Sequence, residues 1–224
     1  MKNILKTLFV IILSIVCFSF TADNGKEKSS NSAQDLSSDA RFIGLAQDQM
    51  KAMDNVTNFD AFESLIKKDN LTNSDINQLA SVLGYPNRAA YDTYINNKNA
   101  IIEALDEDYN LSQYTQAQLT QISLNVMNSF RSQFRSKSLN KAETPIDPVP
   151  SGETNECEDL CEEVRKACIL EVGAAAVAAH IGCGVADLTV IAGIACHSGV
   201  LIAQGFGNRK CNKEYDKCIY DCRH

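Results

Sequence analysis

The sequence predicts an all-α protein in which an N-terminal helical bundle is followed by a C-terminal, disulfide-laddered antiparallel helical hairpin. Three observations support this prediction. Apolar residues recur at helical spacing before residue 141, a proline-rich segment follows, and the cysteines beyond that segment have mirror-symmetric spacing. Of the 224 residues, 45% are hydrophobic, which is typical of a folded globular chain rather than a disordered one.

Residues 1–22 have the pattern of a secretory signal peptide. Two lysines precede a short apolar stretch that runs from Leu8 to Val16. This stretch is too short for a transmembrane helix and is not closed by a basic cluster, so we expect an exported chain that is cleaved after Ala22. A lipid anchor on Cys17 is the less favoured alternative, because a lipoprotein signal requires a small residue directly before the cysteine. We therefore expect a secreted or cell-envelope protein.

The segment between the signal peptide and residue 141 divides into two parts. Residues 23–38 are polar and almost devoid of apolar side chains, which predicts a flexible tether. Residues 39–141 are predicted to form a helical N-terminal region of four or five helices with one core. Its helix-spaced apolar residues are Tyr91, Tyr94, Ile95, Ile101, Ile102 and Leu105, and then Leu119, Ile122, Val126, Phe130 and Phe134.

Local signals indicate where several of these helices begin. Thr115 has Gln118 three residues later, which is the pattern of a capping box. Asn87 directly follows Pro86 and is a favourable helix start. Shorter helices are predicted at about residues 42–53, 59–66 and 75–83 from the spacing of their apolar residues.

Residues 142–156 form the predicted boundary between the two regions. Three of the chain's four prolines lie here, at positions 145, 148 and 150, and Gly152 follows them. Because proline cannot continue a helix, we expect an extended and exposed linker. Such a linker is the preferred site for proteolytic separation of the two regions.

Eight of the nine cysteines lie in the segment 157–224, which we predict to be the hairpin. An even number of cysteines in an exported chain indicates a disulfide framework. The first three are separated by four and seven residues and the last three by seven and four, so outer and inner cysteines pair around one common centre. The pairs predicted in this way are Cys157–Cys222, Cys161–Cys218, Cys168–Cys211 and Cys183–Cys196.

A helical hairpin explains why this symmetry would pair the cysteines. At about 100° per residue, each outer trio lies within about 40° on its own helix, and two antiparallel helices bring the members of each pair face to face. Disulfides also require the helices to approach closely, which favours small residues such as those in VGAAAVAAHIGCG. Two alternatives remain. The pairing would differ if Gly173, Gly205 and Gly207 broke the arms, and the repeated Cys-x3-Cys spacing is also that of a zinc site.

The predicted hairpin is charged at its base and apolar toward its tip. Five acidic residues lie between positions 156 and 163, whereas Glu171 and Asp187 are the only charged residues from 167 to 208. An apolar surface of this extent needs a partner, and we expect either a target-cell membrane or the chain's own N-terminal region. The residues expected to make this contact are Val185, Leu188, Val190, Ile191 and Ile194.

Composition and motifs argue against several classes of function. The net charge of -7 is opposite to that of a nucleic-acid-binding protein. The sequence has no Gly-x-Ser-x-Gly, His-Glu-x-x-His or phosphate-binding glycine loop, so we expect neither an enzyme nor a cofactor or metal site.

His180 and His197 should lie near one another as packed helix residues, with a pH switch as the less favoured interpretation. The sequence does not indicate an oligomeric state.

Three segments in the last third of the chain carry a resemblance: CEDLCEEVRKACILEVGAAAVAAHIGCG, AGIACHSGVLIAQGFG and CNKEYDKCIYDC. Together with the two-part layout, they resemble the precursors of halocin C8-like bacteriocins. The resemblance implies an N-terminal propeptide or immunity protein and an antimicrobial peptide similar in length to residues 151–224. The chain departs from that pattern in having fewer cysteines, more charge at the base and no twin-arginine signal.

The function predicted on these grounds is a secreted bacteriocin-like precursor, whose apolar hairpin acts on membranes after release. The alternative comes from a different class: a non-enzymatic cell-surface structural or interaction protein with a disulfide-rigid module. An enzyme inhibitor of the helical-hairpin kind is disfavoured, because residues 184–195 form an apolar tip rather than a polar recognition loop.

Overall fold

The computed structural model describes residues 32–54, 56, 58–66, 68, 71–131, 156–186 and 190–223. Every regular element in these ranges is helical, which confirms the predicted all-α class. The N-terminal elements are α1 (Ala33–Ser38), α2 (Ala40–Lys51), α3 (Phe59–Ile66), α4 (Asn73–Val82), α5 (Arg88–Tyr109), a 3-10 turn (Leu111–Gln113) and α6 (Gln116–Ser129). The C-terminal elements are α7 (Glu156–Val185) and α8 (Val190–Arg223).

The N-terminal helices begin where their caps predict. Thr115 and Gln118 form the expected capping box of α6, in which each side chain binds the backbone N–H of the other residue. The Asn87 side chain accepts a hydrogen bond from the Ala90 N–H and starts α5. That helix ends at Asn110, which has a left-handed backbone conformation with φ of 50°, and asparagine adopts this conformation more readily than most residues.

One boundary differs from its prediction. The polar segment 23–38 was expected to be a flexible tether, but its last six residues form α1. A capping box between Ser32 and Asp35 starts this helix, and the side chain of Leu36 is completely buried in the main core. A single well-placed leucine and a cap therefore outweigh the polar composition of the segment. Residues 23–31 and residues 142–155 of the predicted linker 142–156 lie outside the described residues, and Glu156 begins α7.

The C-terminal hairpin consists of two long, antiparallel helices. Both arms are continuous within the described residues, so Gly173, Gly205 and Gly207 do not break them. Some of these glycines instead permit close packing: a Cβ atom at Gly207 would stand 2.6 Å from Val172 Cγ1 of the opposite arm. The arms approach to Cα–Cα distances of 5.8–5.9 Å at the four cysteine pairs.

The hairpin lies at the centre of the molecule rather than apart from the N-terminal helices. Leu170, Val177 and Ile181 of α7 are buried in one core with residues of α1, α2, α5 and α6. On the other arm, Ile194 and Leu201 of α8 are buried in a second core with residues of α3, α4 and α5. The two arms thus serve two different cores, and the N-terminal helices pack around both.

Most of the apolar residues predicted for α5 and α6 contribute to these cores. Tyr91, Ile95, Ile102, Leu105, Leu119, Ile122 and Val126 are buried. Tyr94, Ile101 and Phe130 are partly buried against the same clusters. Phe134 lies outside the described residues.

Candidate functional site

The hairpin is closed by four disulfides: Cys157–Cys222, Cys161–Cys218, Cys168–Cys211 and Cys183–Cys196. These are the pairs that the mirror-symmetric spacing predicts. The two outer bonds are adjacent, with Cys161 Sγ and Cys222 Sγ 3.5 Å apart. The sulfur atoms of Cys157, Cys161 and Cys222 lie within 4.8 Å of one another, as in a metal centre, but each is bonded to another sulfur. In this oxidised state, none of the eight cysteines offers a thiolate to zinc.

The apolar tip of the hairpin is only partly described. Ile194 is buried against α3, α4 and α5, and Val185 is half-buried against the core formed by α7 and the N-terminal helices. Leu188 and the side chains of Val190 and Ile191 lie outside the described residues. Both predicted contact residues that the structure describes therefore pack within this chain.

A network of buried and half-buried polar side chains joins the hairpin to the N-terminal helices. We call this network the polar seam. Its members are Asp48 and Gln49 on α2; Tyr91, Tyr94, Lys98 and Asn99 on α5; His180 on α7; and His197, Ser198 and Gln204 on α8.

Two buried histidines, one from each arm of the hairpin, form one part of the polar seam. His180 is 2% exposed and His197 is fully buried, and their Nδ1 atoms are 2.6 Å apart. The rings are stacked with their centroids 4.9 Å apart. His197 Nε2 lies 2.5 Å from Oδ1 of Asn99. The pair thus links both arms of the hairpin to α5.

The hydrogen bonds determine where each imidazole carries its proton. Because the Asn99 oxygen can only accept, His197 donates through Nε2–H and has a free lone pair on Nδ1. His180 must then donate its Nδ1–H to His197. The remaining nitrogen, His180 Nε2, is an unprotonated acceptor that is buried and has no hydrogen-bond partner.

Both histidines are neutral at neutral pH. Burial and, to a smaller extent, the nearby Lys98 ammonium group lower the pKa of His197 to about 4. Burial also holds the pKa of His180 well below 6.5, with smaller contributions from Lys98 and His197. A charged imidazole is therefore unfavourable at either position.

Lys98 is a buried cation in the middle of the polar seam. Its side chain is 3% exposed, and its Nζ donates to Gln49 Oε1 at 2.9 Å and pairs with Asp48 Oδ2 at 3.1 Å. The ammonium group also lies 4.8 Å from the centre of the Tyr94 ring, and the Tyr94 hydroxyl donates to Asp48. Burial lowers the pKa of Lys98, and the Asp48 carboxylate opposes that effect.

Two further contacts connect α8 directly to the N-terminal helices. Gln49 Nε2 donates to Gln204 Oε1 at 2.6 Å, and Gln204 Nε2 donates back to the Gln49 carbonyl oxygen at 3.0 Å. The Tyr91 hydroxyl and Ser198 Oγ share a hydrogen bond of 2.8 Å. These bonds fix the rotation and register of α8 against α2 and α5.

The geometry of the polar seam is that of an interface rather than a catalytic pocket. Its nitrogen and oxygen atoms bond mainly to one another, and Ser198, which follows His197 in the chain, bonds to Tyr91. The cavity beside it has a volume of about 60 Å³ and is lined by Asp48, Lys51, Tyr85 and Tyr94, among others. This volume suits a few water molecules rather than an organic substrate.

The sequence predicted the proximity of the two histidines but missed the rest of the polar seam. A signal was present for two of the missed residues. Lys98 lies on the same helical face as the predicted core residues Ile95 and Ile102, and Gln49 follows Phe42 and Leu45 at helical spacing. A polar residue on an apolar stripe is a candidate for a buried, bonded group.

Among the described residues, α7 is long and apolar enough to cross a membrane by length and composition. Slightly more than half of its most apolar window is buried inside the protein, as in the core helix of a globular bundle. The length and composition of α7 are thus those of a membrane-spanning helix and equally those of the core helix of a globular protein.

The chain was compared with known proteins at three levels. No family model, no curated protein and no solved structure matches it. The four disulfides are typical of an oxidising, extracellular environment.

Proposed function

We propose that the chain is an exported, bacteriocin-like precursor whose N-terminal helices cover a membrane-active hairpin until the two regions are separated. One observation carries this proposal. The apolar middle of the hairpin is buried against the N-terminal helices, yet all four disulfides lie within the hairpin itself. The N-terminal helices are thus held on the hairpin by noncovalent contacts and by the connecting chain, whereas the two arms of the hairpin are joined by covalent bonds.

Separation would uncover a large apolar surface. Leu170, Val177 and Ile181 on one arm and Ile194 and Leu201 on the other are at most 5% exposed in the intact chain. Each such side chain contributes about 1.5–3 kcal/mol when it is removed from water. A released hairpin that presents these residues would bind a lipid surface or another apolar partner. Its disulfides would keep its two helices together during that transfer.

Export and processing complete this proposal. The signal-like residues 1–22 would direct the chain out of the cell, where disulfides form. The proline-rich segment 142–156 offers a cleavage site between the covering helices and the hairpin. The N-terminal helices would then act as a propeptide that keeps the hairpin inactive in the producing cell.

The second candidate function is a non-enzymatic cell-surface structural or interaction protein. The polar seam favours it, because the paired bonds of Gln49 with Gln204 and of Tyr91 with Ser198 suit a permanent, uniquely packed core. In that case the hairpin is a disulfide-braced scaffold that never leaves the bundle. The two candidates differ in whether the chain is cleaved and separated.

Controlled cleavage distinguishes the candidates. We would replace residues 148–152 with the recognition sequence of a site-specific protease and purify the oxidised full-length protein. The cut and uncut forms would be compared for dye release from phosphatidylethanolamine–phosphatidylglycerol vesicles and for growth inhibition of related strains. We expect activity only after cleavage. A cut protein that stays together on gel filtration and leaves vesicles and cells intact would favour the cell-surface candidate.

The mass of the exported product provides an independent test. A fragment close to residues 151–224 that gains eight hydrogens on reduction would show both processing and four disulfides. A full-length mature chain, with or without a lipid on Cys17, would count against release. Samples taken before and after alkylation without reductant control for free thiols.

A further inference from the structure

The buried histidine pair lies where both arms of the hairpin meet the N-terminal helices. His180 belongs to α7, His197 to α8, and their partner Asn99 to α5. We propose that acidification opens the interface between the hairpin and the N-terminal helices, with this pair as the proton sensor. The proposal rests on the proposed function, because it describes how the same covered hairpin is regulated.

The hydrogen bonds of the pair permit only the neutral state. A proton on His197 Nδ1 would face the N–H of His180 across 2.6 Å and would replace their hydrogen bond by a repulsive contact. A proton on His180 Nε2 would create a charged donor at a buried atom that has no partner. Neither histidine therefore binds a second proton while the interface is closed, whereas each can bind one when the interface opens and the side chain reaches water.

The charged group that faces the pair makes protonation still less favourable. Lys98 of α5 is buried, and its positive charge acts on both imidazoles. The carboxylate nearest to that cation, Asp48 of α2, pairs with Lys98 and accepts a hydrogen bond from Tyr94. A protonated histidine would thus add a second positive charge beside Lys98, with one shared carboxylate to balance both.

Within the part of the chain that the structure describes, the other elements that pack on the hairpin bring no balancing carboxylate to the pair. Helix α6 contains no ionisable residue. On α3 and α4, the carboxylates that bind cations do so elsewhere: Glu63 pairs with Arg209, and Asp75 pairs with Lys68. On α5, Glu103 is exposed, and on α7 the exposed Glu171 precedes His180 by nine residues. Asp187 lies outside the described residues.

The direction of the pH effect follows from these pKa shifts. The pKa values of both histidines are lower in the closed state than the ordinary value of 6.5. The stabilisation of the closed interface is therefore complete above about pH 6.5 and is lost as the pH falls below that value. For each pH unit below about 6.5, one excluded proton raises the ratio of open to closed protein by up to about tenfold. The two histidines together raise this ratio by up to about a hundredfold per pH unit.

Opening of this interface would uncover the hairpin without unfolding it. The disulfide between Cys183 and Cys196 lies within one turn of each histidine and holds the two arms together on that side of the pair. The disulfide between Cys168 and Cys211 holds the arms on the other side. Separation is thus expected between the hairpin and helices α2 and α5, where the contacts are noncovalent.

Hydrogen–deuterium exchange of the oxidised full-length protein between pH 7.5 and 4.5 tests this proposal. After correction for intrinsic exchange rates, we expect protection in α2 and α5 to fall steeply below about pH 6.5. The double variant His180→Leu/His197→Leu removes both titrating groups. Its ratio of open to closed protein should therefore lack the increase of up to about a hundredfold per pH unit that the pair produces. His224→Asn, which alters the third histidine of the chain, is the matched control and should follow the wild-type profile.

A second variant keeps the test decisive if the double leucine variant does not fold. Lys98→Met removes the facing positive charge, so the closed state should tolerate a proton better and the pH profile should become shallower. Protection that persists to pH 4.5 in the wild type would overturn the proposal, as would an unchanged profile in the variants. Because the experiment involves neither cleavage nor lipid, its failure would leave the release of the hairpin by proteolysis unaffected.

Discussion

Gln204 on the returning arm of the hairpin and Gln49 on α2 bind each other reciprocally, although they are 155 positions apart in the sequence. Each amide nitrogen donates to an oxygen of the other residue, and the side chains are 4% and 0% exposed. The remaining Gln49 oxygen accepts from Lys98. Gln49 thereby connects the hairpin to the buried cation of α5, so this pair couples the two regions of the chain.

Substitution of Gln204 should therefore weaken the contact between the hairpin and the N-terminal helices. Gln204→Leu keeps most of the side-chain volume but leaves the Gln49 amide nitrogen without a partner in a buried position, while the Gln49 carbonyl oxygen keeps its hydrogen bond from the Ala52 N–H. We expect the free energy of unfolding to fall by about 1–3 kcal/mol, which is the usual cost of one unsatisfied buried group. Urea denaturation of the oxidised protein would measure it.

An exposed glutamine provides the control for this substitution. Gln121 on α6 is exposed and bonds to Asn125 one turn later on the same helix. Gln121→Leu should change the free energy of unfolding by no more than about 0.5 kcal/mol. Equal effects of the two substitutions would contradict the assignment of Gln204 to a buried, paired role.

The hydrogen bond between Tyr91 and Ser198 should respond unequally to loss of either partner. Ser198→Ala leaves the Tyr91 hydroxyl unpaired in a site where Tyr91 is fully buried, and this should cost about 1–3 kcal/mol. Tyr91→Phe instead leaves the serine hydroxyl, which can turn to the backbone carbonyl one helical turn earlier, so we expect a loss below about 1 kcal/mol. Thermal or urea unfolding of both variants would show the difference. A larger loss for Tyr91→Phe would contradict this interpretation.

The disulfide ladder was predictable from the sequence because its geometry is local. Two straight helices fix which residues face each other once the turn is placed, and the positions of Cys157 and Cys222 already define that turn. The docking of α2 and α5 on the hairpin depends on contacts between distant parts of the chain, which helical periodicity does not encode. The partners of Lys98 and Gln49 therefore emerged only from the structure, whereas the proximity of the two histidines followed from the hairpin alone.

The four disulfides should open in a defined order under limited reduction. Cys157 at the base is exposed, whereas Cys183 and Cys211 of the inner pairs are 5% and 2% exposed. Because reduction requires access to sulfur, Cys157–Cys222 should open first. The freed Cys222 lies 3.5 Å from Cys161, so its thiolate can attack that sulfur and release Cys218, which makes Cys161–Cys218 the next pair to react.

Stepwise reduction by a phosphine, followed by alkylation and peptide mapping, would measure this order. We expect labels on Cys157 and Cys222 first, then on Cys157 and Cys218 as Cys222 becomes bonded to Cys161, and on the inner pairs last. The same experiment in concentrated urea is the control, since unfolding should remove the differences in access. Early labelling of Cys183 and Cys196 in the native protein would contradict the predicted order.

Gly205 should tolerate no larger residue, because α8 and α3 meet at this position. A Cβ atom there would stand 2.1 Å from Cε1 and 2.3 Å from Cζ of Phe62, whose side chain is 4% exposed and surrounded by the second core. Gly199 on the same helix is exposed, and a Cβ atom there would meet nothing within 4 Å. The two glycines share a helix but differ in what their Cα atoms face.

The two alanine substitutions should accordingly have opposite effects on the free energy of unfolding. Gly199→Ala should stabilise the protein by about 0.5–1 kcal/mol, since alanine is the better helix former. Gly205→Ala has the same gain in helix propensity, but overpacking against Phe62 should cost more and give a net loss of roughly 1–3 kcal/mol. The double variant Gly205→Ala/Phe62→Leu should recover part of that loss, because it makes room for the added methyl group. Stabilisation by Gly205→Ala alone would show that α8 packs on α3 less closely than described here. The N-terminal helices would then cover the hairpin less closely than the proposed function requires.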